Sequence, residues 1–221
     1  MPPLDTTTAV KHLSRADPVM RGLIKAVGPC QLKPGARGDN FTTLVRAIVG
    51  QQLSAKAAET IWQRLIALHP NGRKLDPGNI LEASDAQLRS VGLSNAKTAY
   101  AKDLASKIAS GELNLARMSR LDDDAIVDEL TRVKGIGRWT AEMFMLFKLG
   151  RPDIWPIDDL GIRNAVKNQY GPSSHDGPTK ANMIEIAEPW RPWRSIASWY
   201  LWRSLALTAP SLGNAGKAVP V

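Results

Sequence analysis

Five residues, Lys134-Gly135-Ile136-Gly137-Arg138, join two helical periodicities, and this join constrains the chain more than any other stretch. Before it, Ile126, Val127, Leu130 and Val133 recur at helical spacing; after it, Trp139, Met143 and Leu146 do the same. Two glycines around one apolar residue let the chain reverse tightly, because glycine adopts positive φ at little cost. The second helix then begins with backbone N–H groups pointing out of the turn, beside Lys134 and Arg138. Such a turn is an anion site, and phosphate is the anion that suits it.

The rest of the chain is written in the same helical language. Thr6 to about Ser14 forms a short helix, and Asp17-Pro18 reads as N-cap and first residue of another, stopped at Gly28-Pro29. Residues 33–40 form a loop. Phe41, Leu44, Val45 and Ile48 make an apolar stripe running into Gly50-Gln51-Gln52-Leu53-Ser54. Ser54 caps the next helix, with Ile61, Leu65 and Leu68 on its buried face, until Asn71-Gly72 turns the chain. Ser84 and Gln87 have capping-box spacing. Gly92-Leu93-Ser94 breaks the run, and Ser94 caps a long helix through about Ser110, ended by Gly111. Asp122, Asp123 and Asp124 sit where the helix before the hairpin begins and complement its dipole. Helices are expected from Asp159 to Tyr170, from about Thr179 to Glu188 and from Pro192 to about Thr208, with a loose tail from Pro210. Strand alternation is almost absent. The expected fold class is all-α.

At 221 residues the chain can bury a real core, as one domain or two lobes. Lys and Arg number 29 against 21 Asp and Glu, a formal charge of +8 and a pI near 9.8. This balance suits a polyanion, although many soluble proteins carry it without one. A single cysteine, Cys30, excludes an internal disulfide and any four-cysteine zinc or iron–sulfur site. His12, His69 and His175 lack ligand spacing, so neither metal nor other cofactor is expected. With no export signal and no long apolar run, the chain reads as cytosolic, with no membrane contact.

Gly135-Ile136-Gly137-Arg138-Trp139-Thr140-Ala141 resembles the hairpin of the helix-hairpin-helix DNA glycosylases. Twenty residues after Trp139 comes Asp159, within Trp155-Pro156-Ile157-Asp158-Asp159-Leu160-Gly161, and later Arg191-Pro192-Trp193-Arg194-Ser195. Together these motifs are most similar to the 3-methyladenine DNA glycosylase II branch, which removes alkylated bases. The resemblance covers roughly residues 40–206 and implies two helical lobes. Residues 1–36 with 152–221 form one lobe and 37–151 the other, the latter carrying the helix-hairpin-helix over 124–150. The active site is then expected in the cleft between them.

Within that family the aspartate lies directly before a Leu-Gly pair, which selects Asp159 as the catalytic residue and leaves Asp158 as the fallback. Cleaving an N-glycosidic bond develops positive charge on the deoxyribose. A carboxylate beside C1′ stabilises that charge and orients or deprotonates the attacking water. The competing reading is that Asp158 or Asp159 merely caps the helix starting at Leu160. Trp139 stands where bifunctional relatives carry a lysine that attacks C1′; an indole cannot, which implies a monofunctional enzyme without lyase activity. Trp202, nine residues beyond Trp193, corresponds to a base-stacking tryptophan, so Trp139, Trp202 and Met143 form the implied base pocket. Core packing is the alternative for Trp139 and the preferred reading for Trp193 and Trp199, and Trp155 stays open. The resemblance further assigns Lys134, Gly135, Gly137, Arg138 and Thr140 to DNA binding. Leu93 is placed as an apolar wedge for the flipped base's hole, and Gln51 and Gln52 stand where relatives probe the orphaned partner; for Leu93 and Gln52 core contact and helix-cap region are equal readings.

The expected function is hydrolytic removal of 3-methyladenine and 7-methylguanine from double-stranded DNA by a monomer, in base excision repair. A non-catalytic hairpin module that only grips phosphate is the rival from another class. An endonuclease III-like glycosylase/lyase is the enzymatic rival, and the lysine and cysteine cluster it would use are absent.

Overall fold

The computed structural model describes residues 4–35, 38–68, 75–171 and 177–208. The Asn71-Gly72 turn, Pro172, His69, His175, the tail from Pro210 and parts of both linker stretches lie outside the described residues. Among the described residues there are helices and no strands. The chain divides into two compact units, Met1–Gly35 with Met145–Val221 and Ala36–Phe144.

The first unit opens with α1 (Thr6–Ala16) and α2 (Pro18–Val27). Asp17 stops one and starts the other: its side chain accepts N–H bonds from Val19 and Met20, and Pro18 supplies the preset first turn. That carboxylate is buried and also accepts the Tyr170 hydroxyl at 2.7 Å and the Trp190 indole N–H at 2.8 Å. Burial, then the bonded carboxylate, pushes the Tyr170 phenol far above its ordinary value. The unit closes with α10 (Leu160–Tyr170), α11 (Lys180–Ala187) and α12 (Arg194–Thr208), with a 3-10 turn over Glu188–Trp190. α12 packs on α2 and α10, and α1 packs on α2. The expected helix from Pro192 begins two residues later, at Arg194.

Arg194 fixes the approach to α10. Its guanidinium binds both carboxylate oxygens of Asp153, at 2.7 and 2.9 Å, and the Asp153 carbonyl. Ser195 donates to the Arg151 carbonyl and accepts the Ile154 N–H. The Pro-Trp-Arg-Ser motif therefore pins the segment that delivers Asp159, through a bidentate pair whose planar fork permits one orientation.

The second unit comprises α3 (Asn40–Gly50), α4 (Ala55–Ala67), α5 (Pro77–Glu82), α6 (Asp85–Ser90), α7 (Asn95–Ala109), α8 (Asp123–Thr131) and α9 (Arg138–Met143). A 3-10 turn covers Leu115–Arg120, and α9 runs on at Phe144 into a π-helical segment, Phe144–Leu149, whose residues from Met145 belong to the first unit. Asp39, Ser54, Ser94 and Asp122 each accept an N–H from the third residue beyond, and Ser84 with Gln87 closes a capping box. α7 is central, packing on α3, α5 and α6. Its partner α5 escaped the sequence pattern because six residues hold less than two helical turns. On α4 the buried face is Trp62 and Leu65, while Ile61 and Leu68 are only half-buried.

Candidate active site and nucleic-acid interface

Asp159 is the N-cap of α10: its Oδ1 accepts the Ile162 N–H at 2.8 Å. The same oxygen accepts the Trp202 indole N–H at 2.9 Å, and the carboxylate is only 8% exposed. Capping and a directed carboxylate are therefore one arrangement, in which the helix N-terminus and an indole hold the anion in one rotamer. Asp158 differs in kind. It is exposed and paired with Lys180 at 2.7 Å.

Trp202 is buried and stacks on Phe147, ring centroids 5.7 Å apart. Its approach to Asp159 depends on Gly161, where an added Cβ would lie 3.0 Å from Asp159 Oδ1 and 3.1 Å from the indole. The Asp-Leu-Gly order thus has a local cause: the glycine makes room for the tryptophan that holds the aspartate. This donor role for Trp202 was not read from the sequence, because the two residues are 43 positions apart. Between them, Leu160 projects outward at 71% exposure. Trp155 is buried in the core, donating its indole N–H to the Met183 carbonyl. Trp199 is buried edge-on against Tyr200, and Trp193 is half-buried.

In the second unit, the hairpin between α8 and α9 buries Val133 and Ile136 and exposes Lys134, Gly135, Gly137, Arg138 and Trp139. Gly135 has φ +77°, and a Cβ there would run into the Tyr100 ring. Gly137 contrasts with it: φ is −95°, and an added Cβ meets nothing within 4 Å. The expectation that both glycines serve a positive-φ turn holds for Gly135 only. No side chain caps α9, so its first N–H groups are not taken up by a capping residue. Arg138 is engaged by acids of its own unit, Glu142 at 3.1 Å and Asp124 at 4.0 Å.

Two further corrections concern side chains expected at the DNA. Leu93 is buried, 4% exposed, so the turn offers no apolar wedge there; Gly92 and Ser94 take the outer positions. Thr140 is 5% exposed and faces the core, since it falls on the inner side of α9's first turn. Met143, expected in the base pocket, is 8% exposed, as Trp202 there is 7% exposed. Gln52, by contrast, is exposed, and it is the non-glycine residue with positive φ among the described residues, at 58°.

Around these elements α7 supplies contacts that the sequence pattern did not announce. Lys97 donates from Nζ to the carbonyls of Val49 and Gln51, at 2.8 and 2.7 Å. The Gln51 amide donates to the Gly135 carbonyl at 2.8 Å, and Asp103 accepts the Lys134 N–H at 2.9 Å. A lysine, a tyrosine and an aspartate three residues apart, at 97, 100 and 103, mark one helix face and were the available signal. No group of three or more His, Cys, Asp or Glu among the described residues is placed to hold a metal ion. No described helix is long and apolar enough to cross a membrane.

Residues 45–192 match the HhH-GPD superfamily of base excision DNA repair proteins. The chain is 35% identical over 205 residues to DNA-3-methyladenine glycosylase 1 of Schizosaccharomyces pombe, covering 91% of this chain and 88% of that protein. Among solved structures it is similar to a Schizosaccharomyces pombe 3-methyladenine DNA glycosylase in complex with abasic DNA. That match has a TM-score of 0.79 and 34% identity, over 91% of this chain and 98% of the other. A DNA-3-methyladenine glycosidase from Bacillus halodurans gives a TM-score of 0.78 at 32% identity, over 89% and 88%.

Proposed function

Since the chain belongs to the HhH-GPD superfamily of base excision DNA repair proteins, we propose that it is a monofunctional DNA glycosylase that hydrolytically releases alkylated bases from duplex DNA. The observation that carries this reading is Asp159, a buried carboxylate held by the α10 N-terminus and the Trp202 indole. A module that only grips phosphate needs such a residue at most as the α10 cap. In the proposed mechanism the target nucleotide is turned out of the stack. Asp159 then stabilises the positive charge that grows on the deoxyribose as the glycosidic bond breaks, and orients the water that adds to C1′.

Alkylation at N3 or N7 puts positive charge on the purine, so the base departs neutral without prior protonation. This chemistry needs no general acid on the base, and the one described histidine, His12, is occupied with the Pro189 carbonyl in the first unit. Trp139, 38% exposed, offers an indole face to a cationic base. Trp202 and Met143 are further candidates for base contact through their edges, both being buried here. The hairpin holds phosphate through Lys134, Arg138 and the N–H groups opening α9, and Gln52 faces the orphaned base.

The test is a release assay on methylated and oxidised duplexes of one sequence. Free 3-methyladenine and 7-methylguanine are expected, with little 8-oxoguanine; the reverse pattern would remove the protein from alkylation repair. The product is an intact abasic site. Because Trp139 replaces the lysine of a lyase, borohydride traps no covalent adduct, and strand cleavage in step with base release would refute the hydrolytic assignment.

A further inference from the structure

Lys97 presents an ammonium group to two backbone carbonyls, Val49 and Gln51, rather than to a carboxylate. Those carbonyls lie three residues and one residue before Gln52, whose left-handed backbone is costly for a residue with a Cβ and persists only where neighbours over-determine it. The next link is the Gln51 side chain, which donates to the carbonyl of Gly135 in the hairpin. Gly135 itself lies against Tyr100, one turn beyond Lys97 on α7. The loop carrying Gln52 and the hairpin are therefore tied to one helix face, and to each other, through the side chains of Lys97, Gln51 and Tyr100.

We propose that Lys97 is a positioning residue for base extrusion: with Gln51 it braces the Gln52 loop against the hairpin, so that the orphan-base contact and the phosphate grip act as one rigid body. This rests on the roles given above to Gln52 and the hairpin. Burial lowers the Lys97 pKa, because the ammonium is partly withdrawn from water. A loose loop would still bind duplex through the hairpin, yet it would fail to hold a base pair open. The brace therefore matters in proportion to how strongly the target base is paired.

The test compares 7-methylguanine opposite cytosine with the same lesion opposite thymine, where opening the pair costs less. Lys97→Met keeps the aliphatic stem and removes the donors. Its single-turnover excision is expected to fall about tenfold opposite cytosine and by no more than about threefold opposite thymine, about 0.7 kcal/mol of difference. Gln51→Met, at an exposed hydrogen bond, should give the same pairing-dependent loss and serves if Lys97→Met does not fold. The double variant should be no slower than the slower single, as expected for two links of one brace. Equal losses on both duplexes, no loss on either, or losses that multiply in the double variant would overturn the proposal. A 2-aminopurine beside the lesion reports unstacking whether or not the bond breaks. A wild-type protein that unstacks the pair but releases nothing refutes the proposed function, while the fluorescence gap between wild type and variant still judges the brace.

Discussion

Two consecutive aspartates, Asp158 and Asp159, show how differently the fold treats its carboxylates, and the hairpin extends the contrast. Asp159 is buried and receives two directed N–H bonds on one oxygen. Asp158 lies in solvent beside Lys180, a pair worth little in water. The hairpin resembles Asp158 in exposure, and its basic residue Arg138 is held by nearby acids that a phosphate can displace. Residues proposed for chemistry are thus fixed before substrate arrives, whereas those proposed for grip are left to exchange partners. Preorganisation lowers the reorganisation cost at the reacting centre, and exchangeable charge lets the protein bind and leave DNA.

The largest expected effect separates the two aspartates. Asp159→Asn keeps an oxygen that accepts from Ile162 and Trp202, and asparagine caps as well as aspartate, so the fold should survive with its melting temperature nearly unchanged. Single-turnover excision should fall by about a thousandfold, since only the charge is lost. Asp158→Asn should excise at nearly the wild-type rate. Inactivity of the second variant with normal release by the first would show that the wrong carboxylate had been assigned.

Next in size is Trp202→Phe, which keeps an aromatic ring on Phe147 and removes the donor to Asp159. A hydrogen bond to a charged group is worth about 1.5–3 kcal/mol, so the rate of base release should drop about ten- to a hundredfold. Binding to an abasic-site duplex should hold. If the ring's stacking face were all that mattered, Trp202→Phe would excise like the wild type.

Gly137→Val probes the opposite region. Its backbone angles suit any residue and the space around a Cβ is empty, so stability should change by less than about 0.5 kcal/mol. Affinity should nevertheless fall about tenfold for all duplexes alike, with a shallower salt dependence, because the lost contact is to phosphate. A change in lesion preference at constant affinity would contradict that reading. Gly135→Val would not serve, since the turn itself would strain against Tyr100.

What the sequence made legible follows from distance along the chain. Caps such as Asp17, Ser54, Ser84 and Ser94 act on residues two or three positions ahead, so their pattern alone places the helices. The hairpin and Asp159 are likewise local motifs. For Leu93 wedge and core contact stood level because a turn's sequence does not say which of its residues faces the core; here the leucine is buried and the flanking glycine and serine are exposed. The contacts of Trp202 with Asp159, and of Lys97, Gln51 and Asp103 around the hairpin, join residues 31 to 84 positions apart. Local periodicity can mark the α7 face that carries Lys97, Tyr100 and Asp103, but it does not name the partners that face meets.

The smallest expected effect concerns how the hairpin is held from beneath. Burial raises the Asp103 pKa, but the Lys134 N–H, the Lys107 ammonium and the charge of Lys134 together outweigh it and leave the pKa below its ordinary 3.8. A carboxylate with a depressed folded pKa contributes stability above the unfolded value and loses it as pH falls through the folded one. Asp103→Asn should therefore lower stability by about 1 kcal/mol near neutral pH, where the anion accepts the Lys134 N–H at 2.9 Å and pairs with Lys107 at 3.1 Å. Thermal unfolding of wild type and variant from pH 7 downward should show a constant gap that narrows only below about pH 4. A gap for Asp103→Asn that widened on acidification would mean that the neutral acid, and not the anion, holds the hairpin to α7.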